Sequence, residues 1–300
     1  MDDAQALDFL QTTQPWQSAV GDGPILRGRH TATRARTFPH TIHFLHGNGF
    51  CGGVYWPFLR GFAGDYGLFC HDLEGHGASD APVRYSGTGA IIRRVPQVIA
   101  DQLGTAPLIG MGHSFGAAVT MASAANQPSR FDALILLDPI FLPMPLWLGS
   151  KLSYRLNRNP MSVAALRRRD RWPSRDAALE ALRGRGIYKG WREDALASFI
   201  DHATHDDQDG SRALCCPKTL EAAIFGNPVY PWRRLARIDC PTLFLYGESS
   251  YPFFKAAAEK TRCINPRIEV QTIPGGHCFM QEDPARATAV VHDFLRRHGF

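Results

Sequence analysis

Ser114 is the residue of this sequence best placed to form a covalent bond with a substrate. It is the central residue of Gly112-His113-Ser114-Phe115-Gly116, a G-x-S-x-G pattern. The apolar segment 107–111 predicts a strand before it, and the small residues that follow predict a helix to about residue 126. On such a turn the glycines remove side chains that would collide, and the helix N-terminus presents free N–H groups to an anion. This context favours a nucleophile over a simple helix N-cap, the other role open to a serine here.

His277 is the candidate for the general base that a serine hydroxyl needs before it becomes a useful nucleophile. It lies in the segment Gly275-Gly276-His277-Cys278, between the last predicted strand (267–273) and a predicted final helix (284–298). Most other histidines are expected to be structural or at the surface. His113, although adjacent to the serine, should point away from its hydroxyl.

The elements that must position these residues alternate between strand and helix. This alternation predicts parallel β-α-β units, and so an α/β fold with a mostly parallel central sheet flanked by helices. In parallel sheets the functional residues collect at the carboxyl ends of the strands, where His46, Asp72, Ser114 and Asp138 are all predicted to lie. The predicted strands cover residues 41–45, 66–70, 107–111, 133–137, 242–246 and 267–273.

Residues 140–236 interrupt the alternation. They are rich in Arg, Trp and Pro, and they predict a mostly helical segment without a convincing buried strand. The simplest domain organisation is therefore a core domain made of residues 1–139 and 237–300, with 140–236 inserted between two strands of its sheet. Within the core, Pro96 is expected to kink or break the helix predicted over 88–103.

The sequence resembles the α/β-hydrolase fold superfamily over roughly residues 38–299. Three blocks besides the one around Ser114 carry the resemblance, in the family's order. They are similar to its oxyanion loop, its D-x-x-G-H-G-x-S loop and its catalytic-histidine loop: His46-Gly47-Asn48-Gly49, Asp72-Leu73-Glu74-Gly75-His76-Gly77-Ala78-Ser79-Asp80 and Gly275-Gly276-His277-Cys278. The resemblance implies the α/β-hydrolase fold, His277 as the base, and a helical cap, residues 140–236, inserted after the sixth strand.

The resemblance also implies how the substrate is held. The backbone N–H groups of Asn48 and Phe115 are expected to form the oxyanion hole. Phe50, beside the oxyanion loop, and Phe115 are expected to form walls of the substrate pocket. His46 is expected to shape the oxyanion loop at the substrate-binding site.

The acid that should orient the base is where the sequence departs from the common family pattern. The usual position, in the loop after the seventh strand, holds Ser250, whose neutral side chain cannot stabilise an imidazolium by charge. Glu248 lies in the same loop, two residues earlier. Asp138 ends the sixth strand, where some family members carry the acid. Asp138 is the favoured acid, and Glu248 remains the alternative.

The composition and charge exclude several other classes of protein. A net charge of +5 is a mild bias, so no nucleic-acid partner is predicted. The one dense basic cluster, Arg167-Arg168-Arg169-Asp170-Arg171, predicts a solvated helix face. The acidic start Met1-Asp2-Asp3-Ala4 predicts no secretory signal, and the apolar segment 133–148 is interrupted by Asp138 and prolines, so no stable membrane insertion is predicted. The seven cysteines include no C-x-x-C pair, which favours reduced thiols and a cytoplasmic location.

These observations together predict an enzyme that acts on a small molecule. The first hypothesis is a carboxylic-ester hydrolase that passes a small to medium apolar acyl group through an acyl-enzyme. A C–C bond hydrolase, a thioesterase and an acyltransferase are alternatives, because the same triad serves all of them, and a hydrolase-like ligand-binding protein is the non-enzymatic alternative. No metal or organic cofactor is predicted, since His202 and His205 lack a convincing third ligand. The oligomeric state is left open.

Overall fold

A computed structural model of the protein describes residues 8–31 and 38–300. The acidic start Met1–Ala4, on which the prediction of no secretory signal depends, lies outside the described residues. The strands are β1 (Gln14–Ser18), β2 (Leu26–His30), β3 (Thr41–Leu45), β4 (Gly67–Asp72), β5 (Leu108–His113), β6 (Ala133–Leu137), β7 (Arg171–Trp172), β8 (Thr204–Asp206), β9 (Arg212–Leu214), β10 (Thr242–Gly247) and β11 (Ile268–Ile273).

The helices of the described residues are α1 (Phe9–Thr12), α2 (Trp56–Leu59), α3 (Thr88–Leu103), α4 (Phe115–Asn126), α5 (Met144–Arg155), α6 (Pro160–Arg167), α7 (Arg175–Leu182), α8 (Glu193–His202), α9 (Lys218–Gly226), α10 (Trp232–Leu235), α11 (Phe253–Ile264), α12 (Phe279–Glu282) and α13 (Pro284–Arg297). Short 3-10 helices occur at Gly52–Tyr55, Arg60–Phe62 and Gly186–Tyr188. Within the two described ranges, none of the helices has both the length and the apolar composition needed to cross a bilayer.

The central sheet has eight strands in the order β1-β2-β4-β3-β5-β6-β10-β11. β1 pairs antiparallel with β2, and β2 pairs antiparallel with β4. All other neighbouring pairs in this sheet are parallel. The predicted α/β-hydrolase fold with a mostly parallel sheet is confirmed. Because β3, β5, β6, β10 and β11 run parallel, their carboxyl ends meet along one edge, where the loops that carry the site begin.

Helices cover both faces of the sheet, so the strands have two apolar sides. Successive strand residues point to opposite faces, and in β3 Phe44 packs in a core with α2, α8 and α13, whereas Leu45 packs in a core with α3, α4 and α11. Leu243 and Phe244 of β10 alternate in the same way. All residues of β5 and β6 are buried, which is typical of central parallel strands and explains their continuous apolar sequence.

Helix α3 continues through Pro96, so of the kink or break expected at this residue the break does not occur. A proline in a helix interior removes the N–H that would bond to the carbonyl four residues earlier. Here that carbonyl belongs to Ile92, and it accepts a hydrogen bond of 3.3 Å from the Ser123 hydroxyl of α4. The neighbouring helix therefore satisfies the group that Pro96 leaves free.

The segment between β6 and β10 contains α5 to α10 and a separate antiparallel sheet of three strands in the order β7-β9-β8. The expectation that this segment contains no convincing buried strand is wrong for β9, whose three residues are all buried. Each of these strands is only two or three residues long, too short for an alternating pattern to show in the sequence. Side chains tie them together, because Arg212 donates to the Thr204 hydroxyl at 2.6 Å and to the Asp206 carboxylate at 2.8 Å.

The basic cluster at 167–171 is not the solvated helix face that its sequence predicts. Helix α6 ends at Arg167, and Arg171 belongs to strand β7. Arg168, between them, turns inward and pairs with the buried carboxylate of Glu221 at 2.8 and 2.9 Å. The basic cluster does not form one solvated face, because the buried Glu221 carboxylate attracts Arg168 inward.

Gly116 allows helix α4 to pass directly over the end of β3. A Cβ at this position would lie 2.3 Å from the carbonyl oxygens of both Leu45 and His46. We expect Gly116→Ala to lower the free energy of unfolding by about 1–3 kcal/mol, because backbone must move to admit the methyl group. Gly149→Ala on α5 is the control, since a Cβ there meets no atom within 4 Å. Urea unfolding measures both, and equal stability of the two variants would contradict the close approach.

Candidate active site

Ser114 forms the turn between β5 and α4. Its backbone has φ 55°, a left-handed conformation that few non-glycine residues adopt. The turn is held because the Ser114 N–H donates to the Leu137 carbonyl of β6 at 2.9 Å. A Cβ at Gly112 would lie 2.7 Å from the backbone of Gly116 and Ala117, so the glycine is needed where the helix folds back on the strand. The result is a strained serine that is raised above the carboxyl edge of the sheet.

His277 lies between Ser114 and Asp138. Its Nε2 is 3.0 Å from the Ser114 Oγ, and its Nδ1 is 2.5 Å from Asp138 Oδ2. The Asp138 side chain is fully buried, whereas that of His277 is 13 % exposed, towards the cavity described below. The structure therefore brings together the predicted nucleophile, base and favoured acid with the connectivity that proton transfer from the hydroxyl requires.

The Asp138 carboxylate accepts two further hydrogen bonds. The Gly247 N–H donates to Oδ1 at 2.8 Å, and the Ser250 hydroxyl donates to Oδ2 at 2.5 Å. Glu248, the alternative acid, is exposed to solvent. Ser250 occupies the usual acid position, after β10. It therefore donates a hydrogen bond to the Asp138 carboxylate, which follows the neighbouring strand β6. The sequence pattern does not reveal this role, because it shows only that a serine is present where an acid is usual.

The loop after β3 carries Asn48 to the cavity, opposite the start of α4. The N–H of Phe115, as the first residue of that helix, has no partner within the helix. The Asn48 side chain donates from Nδ2 to the Glu221 carbonyl at 3.0 Å. The Gly49 N–H donates to His76 Nε2 at 3.0 Å. Helix α9 and the loop after β4 thus hold the loop that is expected to supply half of the oxyanion hole.

A second set of buried groups links this loop to the His277 loop. The Gly47 N–H donates to the Tyr55 hydroxyl at 3.1 Å, and that hydroxyl lies 2.7 Å from His113 Nδ1. His113 Nε2 donates to the His277 carbonyl at 2.9 Å. His113 is thus turned away from the serine hydroxyl. The sequence gives no signal for the role of Tyr55, because its partner His113 is far away along the chain.

The histidines behind these loops are neutral because they are buried. Burial lowers the pKa of His76 to about 4, and it lowers the pKa of His46 and of His113 well below the ordinary value of 6.5. A neutral imidazole has one nitrogen that accepts, whereas an imidazolium has none. Both His46 and His76 accept backbone N–H groups, those of Leu73 and Gly49, so the neutral form is the one the loops need.

A cavity of about 210 Å³ lies over Ser114 and His277. Its lining is mostly apolar. The core contributes Asn48, Phe115, Ala118 and Tyr251, and the segment between β6 and β10 contributes Ile140, Leu142, Ser150, Asn159, Met161, Ile224, Phe225, Pro228 and Val229. Phe115 is therefore at the cavity, as expected from the sequence.

Phe50 and His46, which are expected from the sequence at the substrate-binding site, do not line this cavity. Phe50 packs among the rings of Tyr55, Trp191 and Phe199 in the core, because aromatic contacts are available there. His46 is fully buried, and it donates from Nδ1 to the Gly47 carbonyl at 2.8 Å. Both ring nitrogens of His46 form hydrogen bonds to the backbone, to Gly47 and to Leu73. His46 therefore shapes the loop but does not contact the cavity.

Comparisons with known proteins come from sequence and from structure. A family model described as the alpha/beta hydrolase family matches residues 44–290. The abhydrolase domain-containing protein AKT2 of Alternaria alternata is 24% identical over 233 residues, which cover 64% of this chain and 84% of that protein. The type I acyl-CoA thioesterase mpaH of Penicillium roqueforti is 36% identical over 91 residues, 28% of this chain and 18% of that protein.

Two solved structures illustrate the similarity of fold. E-2-(Acetamidomethylene)succinate hydrolase has a TM-score of 0.77 and 20% identity, covering 95% of this chain and 99% of that chain. The thioesterase domain from the curacin biosynthetic pathway has a TM-score of 0.72 and 19% identity, covering 94% of this chain and 99% of that chain. At 19–20% identity, these two similarities show a shared fold alone.

Stability should fall as the solution is acidified, because the folded protein keeps His76 neutral. Between pH 6.5 and about 4 the unfolded chain takes up a proton at this residue that the folded chain does not. Each such histidine costs roughly 1 kcal/mol of stability per pH unit in that window. Urea unfolding across this range should show the loss, and His76→Gln should make it shallower. His205→Gln, at an exposed position, is the control for the substitution. A slope in His76→Gln equal to that of the wild type would refute the neutral state of His76.

The two candidate acids can be separated with a fluorophosphonate probe that reacts with an activated serine. We expect Asp138→Asn to slow labelling of Ser114 by about 10⁴-fold, because the imidazole loses its orientation and its charge partner. Glu248→Gln should label at the wild-type rate, since this side chain is exposed. If Glu248→Gln labels slowly while Asp138→Asn labels normally, Glu248 is the acid.

Proposed function

This chain belongs to the alpha/beta hydrolase family, and from that premise we propose that it is a serine hydrolase that cleaves a carboxylic ester of a small to medium apolar acyl group. The observation that carries the proposal is the continuous contact from Ser114 Oγ through His277 to the buried Asp138, at 3.0 and 2.5 Å. A buried, fully hydrogen-bonded carboxylate orients an imidazole so that its other nitrogen accepts a hydroxyl proton.

The reaction begins when His277 Nε2 takes the proton of Ser114 as the hydroxyl oxygen attacks the ester carbonyl. The negative charge that develops on the carbonyl oxygen is stabilised by the N–H groups of Asn48 and Phe115. His277, now an imidazolium paired with Asp138, gives its proton to the departing alcohol. Water then attacks the acyl-enzyme with His277 as the base again, and the acid leaves with Ser114 restored.

The acyl group of this substrate occupies the apolar cavity above Ser114. The support for an apolar group is the lining, in which Ile140, Leu142, Ile224 and Val229 lie around the serine. A charged acyl group there would lose its hydration without gaining a partner. The modest volume of about 210 Å³ favours small and medium chains over long ones.

Residues 140–236 act as a cap on the core domain formed by residues 1–139 and 237–300. A contact across this division supports it. Glu221 of the cap accepts the Asn48 side chain on its carbonyl, at 3.0 Å, while its carboxylate pairs with Arg168. The cap therefore both walls the cavity and holds the loop that carries Asn48, so that substrate specificity depends on it.

A thioester is the second candidate substrate. The observation that favours it is the similarity to a type I acyl-CoA thioesterase and, in fold, to a thioesterase domain. The same attack and the same oxyanion stabilisation apply, with a thiol as the leaving group. C–C bond hydrolysis and acyl transfer would use the same residues, and a ligand-binding protein would use the cavity without the serine.

A panel of p-nitrophenyl esters of rising chain length tests the proposed activity. We expect kcat/KM to rise from acetate to a medium chain and then to fall, because a cavity of about 210 Å³ accommodates only a limited length of acyl chain. Ser114→Ala should lose activity by several orders of magnitude. The matched oxygen ester and thioester of the best acyl group then separate the two candidates by their kcat/KM. Folded protein that cleaves no member of the panel and whose Ser114 resists the fluorophosphonate would favour the ligand-binding protein.

A further inference from the structure

Helix α5 presents a row of apolar side chains to solvent. Met144, Leu148, Leu152 and Leu156 follow one another at four-residue spacing, which places them on one side of the helix and at its carboxyl end. Each of the four is 52–59 % exposed. Single exposed leucines are ordinary, but a contiguous exposed row of this length marks an interaction surface. We call these four residues the α5 stripe.

The opposite side of α5 is anchored to the rest of the cap. The Trp147 indole N–H donates to the Pro228 carbonyl at 2.9 Å, and the Ser150 hydroxyl donates to the Phe225 carbonyl at 3.1 Å. The Tyr154 ring covers Gly226 so closely that a Cβ there would lie 2.1 Å from it. These contacts fix the rotation of the helix about its axis, so the α5 stripe faces outward.

Three basic residues on α5 and just after its end have no carboxylate partner in the part of the chain that the structure describes. No Asp or Glu occurs between Asp138 and Asp170 in the sequence. Lys151, Arg155 and Arg158 lie in this stretch, and none of them pairs with a carboxylate of residues 8–31 or 38–300. Some exposed arginines elsewhere in the cap do pair with carboxylates; Arg175, for example, pairs with Asp201 at 2.7 Å.

We propose that this face of α5 docks on the surface of an anionic lipid membrane. The α5 stripe enters the boundary between headgroups and acyl chains, and Lys151, Arg155 and Arg158 contact the lipid phosphates. An apolar row bordered by cations is the pattern that such binding needs, since affinity scales with buried apolar area and with attraction to anionic lipid. A second copy of the chain is a less favourable partner for this face, because a two-fold contact would bring the same cations against each other.

The docking face lies next to the candidate active site. Ser150, on the inner side of α5, lines the cavity above Ser114, as do Asn159 and Met161 just beyond the helix. Adsorption through the α5 stripe would hold a helix that lines the apolar cavity against the phase in which apolar acyl groups concentrate. The docking itself does not depend on the proposed hydrolysis, so either can fail without the other.

Co-sedimentation of the wild-type protein with vesicles tests the proposal. One set of vesicles is pure phosphatidylcholine, and the other contains about one third phosphatidylglycerol. We expect binding to the anionic vesicles, weaker binding as salt is raised, and little binding to the neutral ones. Leu152→Ser should weaken binding to anionic vesicles about tenfold, because an apolar side chain no longer leaves water. Arg155→Glu should weaken it by about tenfold or more, since an attraction becomes a repulsion.

Leu10→Ser is the matched control, because Leu10 is exposed to a similar degree on α1 (52 %) and should bind like wild type. Light scattering on the same samples reports the oligomeric state. Failure of the wild type to bind anionic vesicles would overturn the proposal, and so would equal binding by Leu152→Ser and Leu10→Ser. A wild-type dimer that Leu152→Ser converts to a monomer would assign the α5 stripe to a second copy instead.

Discussion

The buried carboxylate of Asp138 is the group on which the rest of the site depends. A carboxylate with no exposure to solvent is stable only when its oxygens are fully hydrogen-bonded. Asp138 meets this demand with three donors: the Gly247 N–H, the Ser250 hydroxyl and His277 Nδ1. The donors come from the last residue of β10, from the loop that follows it and from the loop after β11. The carboxylate therefore holds these segments together and fixes the direction of the imidazole.

The parallel sheet supplies the geometry in which this carboxylate can act. Neighbouring parallel strands end at one edge, so the ends of β5, β6, β10 and β11 deliver Ser114, Asp138, Ser250 and His277 to one place. The strained backbone of Ser114 is held by the hydrogen bond from its N–H to the Leu137 carbonyl of β6, and Gly116 lets α4 lie against the end of β3. The segment between β6 and β10 adds the walls of the cavity above the serine and, on its outer side, the proposed lipid-docking face.

Sequence pattern is sufficient for the features that depend on neighbours in the chain. The G-x-S-x-G turn and the histidine loop are local patterns, and the family's order of blocks relates them, so the sequence alone identifies Ser114 and His277 as a candidate pair. The features that sequence pattern does not predict depend on distant partners. Tyr55 and Ser250 gain their roles only from His113 and Asp138, which the fold brings near them. The helix that continues through Pro96 likewise has a partner far along the chain, because the Ile92 carbonyl accepts a hydrogen bond from Ser123. The strands between β6 and β10 escape prediction for another reason, since each is only two or three residues long.

The most direct measurement is to look for the acyl-enzyme during turnover. The protein is mixed with its best ester substrate, quenched in acid within the first turnovers, digested, and examined by mass spectrometry. Protein labelled with the fluorophosphonate is the positive control, because it shows that a modified peptide carrying Ser114 can be detected. If Ser114 is the nucleophile, this peptide gains the mass of the acyl group, and the gain disappears in Ser114→Ala. Turnover of the ester without an adduct on Ser114, or with the adduct on another residue, would contradict this role.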